Sequence, residues 1–229
     1  MFIGHFGVAL MAKPIAPKIS LGTLMLASWL PDLLAFVFLM AGIEHFSVQP
    51  GITAGNPLNV YDIPLSHSLA MDVVWGGLLA GTYFTFQRYM RGTVIIFLTV
   101  ISHWLLDLVS HRPDITLAPG VNIYVGLGLY DSVRATLIVE GLLWLIGVAF
   151  YAYTTHAEKK SAAYAFWGVV VIVTVLWASG IAGPPPPNIA SVEITNVIIF
   201  SLVLAWSYWI DRTRSFAKPD EILLERARF

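Results

Sequence analysis

The sequence predicts an all-α, polytopic membrane bundle of about six transmembrane helices plus a short N-terminal partial helix, and three observations lead there. The 229 residues are 57% hydrophobic and only 12% charged, with a mean hydropathy of +0.75, which places the chain in the membrane class. Six apolar runs, 20–43, 69–86, 93–110, 135–155, 164–183 and 192–210, are each long enough to cross about 30 Å of hydrocarbon. Positive charges alternate with these runs. Lys13 and Lys18, Arg88 and Arg91, Lys159 and Lys160, and Arg212, Arg214 and Lys218 fall on one side, while the connections 44–68, 111–134 and 184–191 are poor in Lys and Arg. The positive-inside rule places the basic connections and the C-terminus in the cytoplasm and the others outside.

Taken in order, residues 1–12 are apolar but too short to span and lack a cationic leader and cleavage site, so they are expected to stay and dip in as a partial helix. The first run contains Pro31-Asp32, which predicts a kinked or interrupted helix with its freed backbone groups facing protein or a wet cavity. Pro184 to Pro187 with Asn188 form a stiff external turn between the last two spans. Residues 211–229 mix both charge signs and read as a cytoplasmic tail, with a short amphipathic helix over 221–229. The chain reads as one domain, 1–229. It has no cysteine, so any metal must be held by His and carboxylate. A net charge of −1 with scattered positive residues gives no footprint for nucleic acid.

The third run carries the most informative residues. An ionisable group at the centre of a spanning helix costs about 2.5 to 3.5 kcal/mol for Asp, so an intramembrane His and Asp need a partner. His103, Asp107 and His111 are four residues apart and form one stripe along the outer half of the span. That stripe offers nitrogen and oxygen ligands to a divalent ion; the alternative is a hydrogen-bonded interhelical pair, and the intramembrane setting moves the balance toward function. Asp32 after Pro31 is either a site group or the cap of a restarting helix. His67 is either a site group or an interfacial residue, and His5 either a site group or exposed. His45 and His156 read as solvated loop residues. Glu140 either orients a ligand histidine by accepting from its far nitrogen or contacts another helix. Asp72, Asp131 and Arg134 leave two readings open, and Arg112 either binds an anionic headgroup or marks the aqueous boundary.

Gly4-His-Phe-Gly7, Leu30-Pro-Asp32, Ser66-His-Ser-Leu69 and Ser102-His-x-x-x-Asp107, in that order, resemble the membrane-bound metal-dependent hydrolase family that includes the LexA-regulated, inner-membrane YdjM-like proteins. The resemblance covers roughly the first half of the chain. It implies a bacterial or archaeal cytoplasmic membrane location and a metal set similar to that of zinc-dependent phospholipase C and P1-type nucleases. By that similarity His5, Asp32, His67, His103 and Asp107 are the metal ligands and Asp107 bridges two ions. Two positions depart from the family's pattern: Leu34 stands where a second acidic residue is common, and Asp62-Ile-Pro-Leu65 where His-Arg is common.

The resemblance implies a hydrolase in which a divalent ion, zinc first and manganese or iron next, lowers the pKa of water from 15.7 toward about 7. Asp107 and His111 are the expected catalytic groups, with His111 a further ligand or a proton carrier. Membrane lipids are the expected surroundings, and a lipid or phosphoester headgroup on the outer side the expected substrate. Two other classes compete: a noncatalytic subunit of a larger membrane complex, and a transporter or proton relay. The polar residues cluster in the first three spans, where a relay would extend to the cytoplasmic face.

Overall fold

The computed structural model describes residues 1–216. Seven α-helices appear among them: α1 (Ile3–Ile15), α2 (Leu21–Met40), α3 (Leu69–Gln87), α4 (Met90–Ser110), α5 (Val133–Thr154), α6 (Lys160–Ala182) and α7 (Ile189–Asp211). The last six are long and apolar enough to cross a membrane, matching the six predicted runs to within a few residues at each end. Large apolar side chains such as Leu78, Leu98, Leu145, Val175 and Leu202 are exposed on their outer surfaces, an arrangement suited to lipid. The helix starts follow local chemistry. Ser20, Ser68, Ser132 and Asn188 each accept a backbone N–H from the first turn of α2, α3, α5 and α7, which satisfies donors that a helix leaves unpaired. Between α3 and α4 the chain reverses at Arg88, whose φ of 51° is left-handed.

The short helix α1 is the packing centre. At about 1.5 Å per residue it is roughly 20 Å long, and it lies against α2, α4 and α5 with Ile3, Phe6, Ala9 and Leu10 buried. Its contact with α5 is made backbone to backbone. A Cβ at Gly7 would lie 2.6 Å from the Leu143 carbonyl oxygen, and Gly147 faces Gly7 in the same way. Glu140 on α5 accepts the backbone N–H groups of Phe2 and Ile3 at 2.9 and 3.0 Å, a carboxylate at the positive end of the helix. At the other end of α1, Lys13 pairs with Asp211 of α7 at 2.6 Å.

Three expectations are corrected. Of the two readings of the Pro31 run, kinked or interrupted, the interruption does not hold: α2 is one helix with Pro31 inside it, so Asp32 is not the cap of a restarted helix. His45 and His156 are not loop residues either. His45–Val48 (β1) pairs antiparallel with Leu58–Asp62 (β2), Ile115–Thr116 (β3) with Tyr124–Val125 (β4), and Thr155–Ala157 (β5) with Arg214–Phe216 (β6). His45 and His156 therefore sit on exposed strand positions, where His45 meets Asp62 at 2.9 Å. The tail expected from Asp211 begins as the end of α7 and continues into β6, where Arg214 bonds Thr155 and stacks over Phe166. The amphipathic helix expected at 221–229 lies outside the described residues.

Candidate metal centre

Alternation of the helices puts the C-terminal ends of α2 and α4 and the N-terminal ends of α3, α5 and α7 at one end of the bundle. The ionisable residues gather just inside that end. By helical rise, Asp107 lies about 5 Å, His103 about 10 Å and Asp32 about 12 Å below the ends of their helices. His5 comes from α1, Asp32 from α2, His67 from the segment leading into α3, and His103 and Asp107 from α4. His5, His67, His103 and Asp107 are buried, so the exposed reading of His5 and the interfacial reading of His67 do not hold.

Asp107 is the hub. Its Oδ1 lies 3.2 Å from His5 Nε2, and its Oδ2 lies 3.2 Å from His103 Nε2 and 3.6 Å from His67 Nε2. Asp32 Oδ1 lies 3.2 Å from His67 Nε2 and 3.8 Å from His103 Nε2. The ammonium of Met1 also meets Asp107 Oδ1 and reaches Ser110 Oγ at 3.1 Å. Two overlapping groups, His5–His103–Asp107 and Asp32–His67–His103, bring ligand atoms within 4.8 Å of one another. They share His103. The rings of His5 and His103 stack with centroids 3.8 Å apart and planes 6° from parallel.

The hydrogen bonding of His103 tests whether these residues suit a cation. His103 Nδ1 is 2.9 Å from the Ser28 carbonyl oxygen, which only accepts, so Nδ1 is the donor. In the neutral ring Nε2 then carries a lone pair, and it faces two carboxylates without making a hydrogen bond. A lone pair aimed at carboxylates is repulsive unless a positive charge lies between them or the ring is protonated. Both nitrogens of His5 are likewise buried without a hydrogen-bond partner. His103, with Nδ1 held by a backbone carbonyl and Nε2 open, has the pattern of a ligand histidine, whose second nitrogen is typically held by such an acceptor; His5 has no such partner among the described residues. The donor set fits a divalent metal, with nitrogen and carboxylate oxygen suited to zinc and also to manganese or iron.

The supporting shell contains residues that sequence reasoning missed. Glu44 is fully buried, and its Oε1 accepts the N–H groups of Leu65 and Ser66 at 2.6 and 2.8 Å, fixing the segment that carries His67. Ser66 Oγ lies 2.8 Å from His67 Nδ1. No sequence signal ties Glu44 to a segment 21 residues away. The Ser28 carbonyl belongs to the turn before Pro31, where the proline also denies the Ala27 carbonyl its helical donor; Pro31 was the signal there. Asp114, also missed, accepts from His111 Nδ1 and Arg112 Nε, both at 3.0 Å.

Of the remaining residues, His111 stands at the rim, its Nε2 4.0 Å from Asp107 Oδ2, outside both ligand groups. Arg112 is tied to Asp114 and to Asn59 at 2.6 Å. Of its two readings, Glu140 makes the contact with another helix, holding the α1 backbone, and does not orient a histidine. Asp72 is fully buried in the first turn of α3, while Asp131 and Arg134 are exposed.

The cluster opens into a cavity of about 140 Å³. Asp32, His67, Asp107, His111 and Tyr130 supply its polar part, and Trp29, Phe36, Phe46, Leu58 and Val60 much of its apolar wall. Burial, reinforced by the carboxylates of Glu140 and Asp107, holds the Tyr130 phenol well above its usual pKa, so at neutral pH it is an uncharged donor. Compared with known proteins, the chain matches no family model, no curated protein and no solved structure.

Proposed function

We propose that this membrane protein is a metal-dependent hydrolase of the YdjM-like kind, acting on a phosphoester or related headgroup ester at the outer face of a bacterial or archaeal cytoplasmic membrane. The observation that carries the reading is His103: its Nδ1 is committed to the Ser28 carbonyl and its Nε2 faces Asp107 and Asp32 without a hydrogen bond. His5, Asp32, His67, His103 and Asp107 would hold one or two ions, with the two oxygens of Asp107 directed to different histidines. A bound divalent ion, zinc by preference, supplies Lewis acidity toward the ester and acidifies water at neutral pH.

The chain's own groups do the rest. Ser66, Ser28 and Glu44 hold His67 and His103 in place, so the site needs little rearrangement during reaction. His111 lines the cavity with Nδ1 held by Asp114, which leaves Nε2 to carry a proton to or from a substrate oxygen. Tyr130 lines the same cavity as a neutral phenol able to donate to a phosphoryl oxygen. The basic connections lie at the opposite end of the bundle, which supports an outward-facing site. A proton relay is disfavoured: Phe6, Leu10, Leu24 and Met25 are buried along α1 and α2, between the cluster and the Lys13–Asp211 pair.

The test is hydrolysis of an activated aryl phosphodiester by the zinc-loaded full chain. Asp107→Ala and His103→Ala are expected to abolish turnover while the protein remains inserted. His111→Gln is expected to lower kcat by roughly 10²- to 10⁴-fold, the usual contribution of a positioned acid or base, with metal content kept. Turnover retained in both ligand variants would rule out the assigned centre.

A further inference from the structure

We infer that the cavity takes an amphiphile head-first, a phosphate head seated at the His/Asp cluster and an alkyl or acyl chain lying against the wall formed by α2 and the β1–β2 hairpin. The inference rests on the metal reading above and adds the substrate class. Along α2, Trp29, Asp32, Ala35 and Phe36 line the cavity at helical spacings of three, six and seven residues, so they share one face. The face that presents Asp32 therefore turns apolar one turn later, toward the C-terminal end of α2. There the hairpin continues it: Phe46 on β1 and Leu58 and Val60 on β2 line the same cavity, and the Phe36 and Phe46 rings are 6.1 Å apart. The polar cluster is thus deep and the apolar wall lies between it and the hairpin.

Charge fixes the direction of entry. Among the described lining residues there is no Lys or Arg, while Asp32 and Asp107 are both present. The Met1 ammonium lines the cavity too, but it sits on Asp107 within the cluster itself, so an anionic head has no positive group to draw it elsewhere and its site would be the cluster and the cation held there. Asn56, Asn196 and Tyr130 offer neutral amides and a phenol to the same head. A wholly polar phosphate ester would leave unfilled the space beside the buried Phe36 and Phe46 and the half-buried Leu58. An apolar chain attached next to the ester would fill that space and exclude water from it.

The experiment is isothermal titration of the zinc-loaded full chain in amphipol with inorganic phosphate, ethyl, butyl and hexyl phosphate, with heats from protein-free amphipol subtracted. Affinity is expected to rise with chain length, up to about fourfold per buried methylene, the equivalent of ~0.8 kcal/mol. Ala35→Leu, which narrows the wall, is expected to flatten that rise and leave inorganic phosphate binding unchanged. Leu58→Ala, at the hairpin, should weaken hexyl phosphate alone and serves if Ala35→Leu does not fold. Equal affinity across the series, or a slope unchanged by both variants, overturns the amphiphile inference while zinc-dependent phosphate binding keeps the metal centre. A slope that persists without zinc overturns head-first entry. Failure of the wild type to retain zinc, read separately by elemental analysis, removes the metal reading itself.

Discussion

At the scale of single residues, the candidate centre rests on side chains outside both ligand groups. Glu44 makes two charge-assisted bonds to the backbone leading to His67, each of the stronger kind. Glu44→Ala is expected to weaken zinc affinity by roughly 10- to 100-fold, as is usual when an outer-shell partner is lost, with helix content by circular dichroism unchanged. Competition with a chromogenic chelator measures it; wild-type affinity in the variant would mean that the His67 segment needs no anchor. The ligand candidates were legible in the sequence because ionisable groups in an apolar run need partners, and helical spacing put His103 and Asp107 on one face. Their supports were not. Glu44 acts on backbone N–H groups distant in sequence, and Asp114 owes its part to the turn after α4, which brings it back onto His111. For Glu140 the sequence leaves a histidine partner and a contact with another helix both open, because periodicity says how deep a residue lies, not which neighbour meets it.

At the scale of elements, α1 decides whether His5 arrives. The helix is too short to span and is held by a close approach to α5 at Gly7 and Gly147. Gly7→Val places methyl groups where the Leu143 backbone already lies, so it is expected to destabilise the fold by about 1–3 kcal/mol, the usual cost of overpacking. Thermal unfolding in detergent measures it, and zinc affinity should fall as His5 is displaced. An unchanged unfolding temperature together with full zinc affinity would show that α1 is not seated by this contact. The spanning helices could be read from hydropathy because apolar length is local information. The hairpins could not, since each is two short strands whose pairing depends on the connection's folding back on itself. The continuity of α2 through Pro31 was also hidden. Packing against α1, α4 and α7 holds the helix together where the sequence allows either a kink or a break.

At the scale of the whole molecule, the polar cluster lies near one end of the bundle, and the positive-inside rule predicts that this end faces outside. The chain has no cysteine, so single-cysteine variants report topology without background. Asn122→Cys, at the exposed turn between β3 and β4, is expected to react with an impermeant maleimide added to intact cells; Lys159→Cys, before α6, is expected to react only after permeabilisation. The reverse pattern would place the site inside. The account's central claim is that the convergence of α1, α2, α4 and the His67 segment builds a binding site for a divalent metal. The most direct measurement is elemental analysis of the full chain purified without added metal or chelator, wild type beside Asp107→Ala. The account predicts one or two equivalents of zinc, manganese or iron in the wild type and their loss in the variant. A well-folded wild type without bound metal, or a variant that retains the full amount, would contradict it.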